Sequence, residues 1–141
     1  MGSFPEFVLD GSVTMAWYFQ DELNDYADAV RDGMDRSQAV VPSLWPLEVA
    51  NTVVMGERRK RSTPAQAATW LGFLGVLPIV VDGETTARAW GDTIGLARAH
   101  NLSAYDAAYL ELAMRRGLPL ATLDDKLKAA AAAVGVSLYA A

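Results

Sequence analysis

The chain contains no cysteine and a single histidine. Without cysteine there is no disulfide framework, no thiolate-held zinc and no thiol nucleophile. The lone imidazole, His100, sits between a helical pattern and Asn101, where a helix end favours a basic side chain, so no Ser-His-Asp arrangement is in view. Long apolar runs are missing too. The longest, from Leu71 to Val81, contains Pro78 and falls short of the roughly 20 residues that span a bilayer. No basic segment followed by an apolar one opens the chain, so no secretory signal is expected. Basic residues are outnumbered, 12 Lys and Arg against 17 Asp and Glu. The net charge of −5 argues against a protein that coats nucleic acid non-specifically.

What remains is 141 residues, 52% hydrophobic and 21% charged. That length predicts one domain over 1–141 with a real core, and the composition excludes disorder. The expectation is a cytoplasmic protein with no membrane segment. Charge is unevenly spread. Asp21, Glu22, Asp25, Asp28, Asp32 and Asp35 are opposed locally by Arg31 alone, and Arg58, Arg59, Lys60 and Arg61 form one basic run. Each run reads either as a solvated helix face and helix end, or, for the basic one, as a contact for a phosphate backbone or an acidic partner.

Short apolar runs alternate with helical patterns. Strands are predicted over 7–9, 39–41, 78–81, 120–123 and 136–138. Helices are predicted over about 12–19 (capped by Ser12), 22–36, 43–60, 63–74, 84–100, 103–117 and 124–134. Thr63-Pro64-Ala65-Gln66 is a capping box with proline at the first helical position, and Ser103-Ala104-Tyr105-Asp106 resembles one. Strands that are apolar throughout, separated by helices, imply a parallel sheet buried on both faces. The fold class is therefore three-layer α/β, a central parallel sheet of about five short strands flanked by helices. Trp17, Trp45, Trp70 and Trp90 lie in apolar helical settings and read as core or dimer packing rather than base-stacking platforms.

In open parallel sheets ligands bind outside the carboxyl ends of the strands. That rule selects Asp10 at the end of the first strand, Asp124 after the fourth, Asp106 in the first turn of its helix, and Glu48 in the helix after the second strand. Asn51 lies three residues beyond Glu48 on the same face. Two unit charges about 4 Å apart interact by roughly 4 kcal/mol at an effective dielectric near 20. Converging carboxylates must therefore take up protons, find cations, or bind a metal. Lys126 is the one basic residue close by. Oxygen ligands without His or Cys suit Mg²⁺ or Mn²⁺. Taken singly, Asp10 and Asp124 also read as helix caps and Asp106 as part of a capping box, whereas capping does not account for Glu48.

Four stretches carry a family likeness: Phe7-Val8-Leu9-Asp10-Gly11-Ser12, Pro42-Ser43-Leu44-Trp45-Pro46-Leu47-Glu48-Val49-Ala50-Asn51, Ser103-Ala104-Tyr105-Asp106-Ala107-Ala108-Tyr109-Leu110-Glu111-Leu112-Ala113, and Leu118-Pro119-Leu120-Ala121-Thr122-Leu123-Asp124. In this order and spacing the chain resembles PIN-domain ribonucleases of the VapC toxin type. The resemblance implies a three-layer PIN-like fold and a Mg²⁺- or Mn²⁺-dependent endoribonuclease with Asp10, Glu48, Asp106 and Asp124 as its acids. It places Ser12 and Thr122 at small hydroxyl positions that hold a carboxylate or water. It also implies a homodimer, and a separate antitoxin polypeptide whose C-terminal segment lies across the catalytic groove. Asn51 would orient substrate or water, and the run Arg58, Arg59, Lys60, Arg61 would guide RNA or salt-bridge an acidic antitoxin. Asp125 reads as a solvated charge or a spare ligand.

Two other readings stand beside this one. A receiver-like phosphoacceptor domain would need an acid ending the third strand, which Asp82 satisfies, and a lysine ending the fifth, which Ser137-Leu138-Tyr139-Ala140 lacks. A catalytically silent PIN-like binding module would share the fold without turnover.

Overall fold

The structure, a computed structural model, describes residues 4–19 and 23–141. Its centre is a four-stranded sheet of β1 (Glu6–Leu9), β2 (Gln38–Val41), β3 (Ile79–Val81) and β4 (Leu120–Ala121), in the order β3-β2-β1-β4. Every pairing is parallel, with Val8 level with both Val40 and Leu120. Phe7, Val8, Leu9, Val40 and Val41 are fully buried, as strands covered on both faces must be.

Helices α1 (Gly11–Ala16), α2 (Asp25–Asp32), α3 (Trp45–Arg58), α4 (Pro64–Val76), α5 (Thr85–Arg88), α6 (Ile94–His100), α7 (Ala104–Arg116) and α8 (Asp125–Ala133) flank the sheet. Local chemistry sets their ends. Thr63 and Gln66 close the expected capping box on α4. Ser103 accepts from the Asp106 N–H at the start of α7, and Gly117 ends that helix at φ 63. Residues 107–113 of α7 are all buried, and α7 packs against β1, β4, α6 and α8. Among the described residues no helix is long and apolar enough to cross a membrane.

Several expectations are corrected. The fifth strand is reduced to one bridge, Leu120 to Leu138. Its segment follows Gly135 at φ 80; beyond the backbone bonds of Leu120 to Ser137 and Tyr139, side chains hold it, Phe7 stacking on Tyr139 at 4.1 Å and the Tyr26 hydroxyl donating to the Tyr139 carbonyl. β4 stops at Ala121 because Thr122 and Leu123 are diverted from the ladder, the Leu123 N–H donating to Ser12 Oγ at 2.9 Å. Asp10, rather than Ser12, stands at the N-cap of α1, while Ser12 turns its hydroxyl back onto Asp10. The predicted start of the second helix at Glu22, with its neighbour Asp21, lies outside the described residues, and α2 is capped by Asn24.

The single helix expected over 84–100 is split by a π-helical turn, Ala89–Thr93. Gly91, within that turn, lowers the cost of leaving α-helical register. Trp90 in this turn is 92% exposed, while Trp17, Trp45 and Trp70 are buried as expected.

Asp82 follows β3 and is buried, where Arg115 reaches both its oxygens, at 2.7 and 3.2 Å. The same guanidinium holds buried Glu111 at 2.8 Å. Arg115 keeps the Asp82 carboxyl below its ordinary range, so its contribution to stability is present at neutral pH and fades as pH falls through that lowered value. Arg115→Met removes the close counter-charge of two buried carboxylates, leaving Asp82 only Arg116 at 3.9 Å, and should cost roughly 3–5 kcal/mol, read by urea unfolding at pH 7. Part of that deficit should vanish in acid. An unchanged midpoint would refute the assignment.

Candidate active site

Parallel pairing brings the carboxyl ends of β1, β2 and β4 to one rim, and the predicted acids gather there. Asp10 leaves β1 with its backbone N–H bonded to the Ala121 carbonyl at 3.0 Å, which ties the ends of β1 and β4 together. Its side chain is 5% exposed. Two hydroxyls donate to Asp10 Oδ2, Ser12 Oγ at 2.6 Å and Thr122 Oγ1 at 2.7 Å. The two hydroxyl oxygens lie 3.3 Å apart. The Asp124 N–H in turn donates to Thr122 Oγ1 at 3.0 Å, and Asp124 caps α8 by accepting the Leu127 N–H at 3.0 Å. One polar network therefore spans β1, α1, the end of β4 and α8.

Glu48 lies in the first turn of α3, which Pro46 opens. Trp45 anchors that turn by donating its Nε1–H to Thr14 Oγ1 of α1 at 3.0 Å. Glu48 is half-buried, and Oε1 accepts a short hydrogen bond from the Tyr109 hydroxyl of α7. Asp106 occupies the first turn of α7, where the helix dipole favours a carboxylate.

The electrostatics tie these acids into one group. Desolvation raises the Asp10 carboxyl, with Asp124 adding repulsion while Ser12 and Thr122 work the other way. Desolvation also raises Glu48, opposed by Tyr109 and reinforced by Asp10 and Asp106. Asp106 is raised by desolvation, then by Asp10 and Asp124, with Lys126 only partly offsetting this. Asp10, Glu48 and Asp106 are thus each raised by burial first and by a neighbouring acid besides. As the side chains stand, no three His, Cys, Asp or Glu among the described residues are close enough together to hold one ion. The donor set still fits a hard divalent cation: it is all oxygen, partly desolvated and mutually repelling.

Other predicted residues fall differently. Asn51 is exposed one turn beyond Glu48, and among the described residues no hydrogen bond ties it to an acid. The basic run is not brought to the rim. Arg58, Arg59 and Lys60 end α3, roughly 15 Å along the helix from Glu48 at 1.5 Å per residue. Lys60 adopts φ 58 in a Schellman turn, with the Arg61 N–H bonded to the Gly56 carbonyl at 2.8 Å. The Arg61 guanidinium lies 3.9 Å over the Phe19 ring. Asp125 is a solvated charge, its side chain 99% exposed. Asp82, which the receiver-like reading needs as phosphoacceptor, is buried against Arg115.

Two features were not foreseen. Tyr109 touches a predicted acid. Its signal was its place three residues after Asp106, on the same helix face. Away from the acids lies a groove of about 770 Å³, lined by Trp17, Tyr18, Phe19, Arg61, Trp70 and Phe73 among others. Among the described residues, Tyr18 Oη, Ser62 Oγ and Trp70 Nε1 are buried in this region without hydrogen-bond partners.

Comparison with known proteins identifies the family and agrees with the fold. The model of the PIN domain family matches residues 7–133. Ribonuclease VapC3 of Pyrobaculum aerophilum is 30% identical over 122 residues, covering 86% of this chain and 92% of that protein. Among solved structures, VapBC2 from Rickettsia felis, bound to a DNA fragment from its promoter, superposes with a TM-score of 0.66 at 16% identity, covering 95% of this chain and 97% of that one. VapC20 of Mycobacterium tuberculosis, a sarcin-ricin loop cleaving toxin, gives 0.57 at 14% identity, covering 88% and 94%.

A carboxyl raised by folding weakens the folded state once pH exceeds its unfolded value, because the native form must then ionise against its surroundings. In chelator at pH 7, Asp106→Asn should therefore melt above the parent, by roughly 2–6 °C in a calorimetric scan. An equal or lower midpoint would mean that burial and the neighbouring acids do not penalise the Asp106 charge.

Proposed function

This chain belongs to the PIN-domain family, as a VapC-type member, and we propose that it is a metal-dependent endoribonuclease, the toxin of a toxin–antitoxin pair. The observation that carries the reading is Asp10, buried where β1 reaches the rim of a parallel sheet, with Ser12 and Thr122 both donating to one of its oxygens. The whole of 1–141 acts as one PIN-like unit, and its work on RNA puts it in the cytoplasm.

Asp10, Glu48, Asp106 and Asp124 would hold Mg²⁺ or Mn²⁺. When bound, such an ion supplies Lewis-acid stabilisation of the charge that develops on a phosphodiester attacked by water. The chain's own residues do the positioning. Ser12 and Thr122 fix Asp10 through two donors on one oxygen, so the carboxylate does not have to reorganise as substrate arrives. Asp106 is presented by the first turn of α7 and Asp124 by the N-cap of α8. Asn51, exposed on the Glu48 helix, is placed to meet substrate or solvent.

With a net charge of −5, the global field repels RNA, so a local basic patch has to offset it. Arg58, Arg59, Lys60 and Arg61 supply that patch for RNA or for an acidic antitoxin. The aromatic groove, with its unpartnered polar atoms, supports a polypeptide partner. A second copy of the chain is supported by exposed apolar side chains. Leu47 and Val54 lie seven residues apart on one face of α3, and Trp90 projects from the π turn.

Purified protein should cut RNA in Mn²⁺ or Mg²⁺ and stop in chelator, with cut sites mapped on total RNA. Asp10→Ala should lower the rate by about 10²-fold or more. If Asp106→Asn cleaves as fast as the parent at saturating Mg²⁺, the nuclease mechanism fails.

A further inference from the structure

Tyr109 is fully buried in the middle of α7. A phenylalanine would fill that core volume equally well, and a buried hydroxyl costs free energy unless it finds a partner. Its partner is Glu48 Oε1, from α3.

The other acids are oriented differently. Asp10 has two hydroxyl donors, and Asp124 is pinned by the Leu127 N–H. Glu48 has a longer side chain with more rotatable bonds, and among the described residues Tyr109 is its one side-chain hydrogen-bond donor. Room for the pair comes from Gly11. A Cβ there would lie 3.5 Å from Glu48 Oε1, 3.6 Å from the Tyr109 hydroxyl and 3.2 Å from Met15 Cε. The phenol therefore sits where α1, α3 and α7 meet, beside the turn that carries Asp10.

We propose that Tyr109 is a positioning residue whose hydroxyl holds Glu48 in the orientation that faces Asp10 and Asp106, preorganising the rim for a divalent cation. This rests on the metal-dependent reading above. Groups that orient a metal-binding carboxylate typically change metal affinity or activity by 10–100-fold when removed.

The test is a double-mutant cycle of Tyr109→Phe and Glu48→Gln, read as Mn²⁺ affinity by electron paramagnetic resonance without RNA, alongside kcat and KM on an RNA substrate. Thermal melts and circular dichroism check the fold. Tyr109→Phe should keep a cooperative melt, weaken Mn²⁺ binding about 10-fold or more and lower kcat rather than raise KM. In the Glu48→Gln background it should change Mn²⁺ affinity little, because the carboxylate it orients is gone. Tyr105→Phe, at an exposed position on the same helix, should match the parent. Unchanged Mn²⁺ affinity in Tyr109→Phe, an equal loss in both backgrounds, or loss of the cooperative melt would each overturn the positioning role. If the parent itself binds no Mn²⁺ and cuts no RNA, the metal-dependent reading fails instead.

Discussion

Asp10 carries a carboxyl group to the end of a strand in which Phe7, Val8 and Leu9 are fully buried, and Ser12 and Thr122 meet its need for hydrogen bonds there. Much of the rim's architecture follows from satisfying that one group. Ser12 gives up capping α1 to serve it. Thr122 leaves the sheet ladder to serve it, and β4 ends there. Through Thr122 the same network sets the backbone of Asp124, and through Asp124 the start of α8. A buried charge is tolerated only when its hydrogen-bonding capacity is met, and here meeting it also places a second acid.

The other two acids arrive by helix geometry. Pro46 and Trp45 fix the first turn of α3, which presents Glu48. Ser103 fixes the first turn of α7, which presents Asp106. The result is a rim where burial first, and neighbouring acids second, make Asp10, Glu48 and Asp106 costly to ionise, and a separate network in which Arg115 neutralises Asp82 and Glu111. The contrast is informative. Where acids serve the fold, a cation is built in; at the rim, Lys126 gives only a partial offset. Stability given up at one place and not recovered nearby is what a functional site looks like in energetic terms.

Much of this was legible in the residues. Fully apolar strand cores at 7–9 and 39–41, and the capping signals at Thr63 and Ser103, located their elements closely, because burial on both faces and unsatisfied helix-end N–H groups leave distinctive patterns. The rule that parallel sheets bind ligands at their carboxyl ends selected the four acids. What escaped were features decided by tertiary contacts. The tail at 136–138 has strand-like composition but finds only Leu120 to pair with. Ser12 reads as a cap until Asp10 is known to be buried beside it. Trp90 shares its helical setting with Trp17, Trp45 and Trp70, yet a π turn exposes it. The basic run lies a whole helix away from the acids, a distance that sequence adjacency does not display.

The central claim is that Asp10, Glu48, Asp106 and Asp124 form a single cation-binding centre. The most direct measurement follows the side-chain carboxyl ¹³C resonances of metal-free protein as Mg²⁺ is added. The account predicts that these four shift together along one saturating curve, while solvated acids such as Asp35 and Asp125 stay nearly still. Independent curves for the four, or shifts confined to the exposed acids, would contradict it.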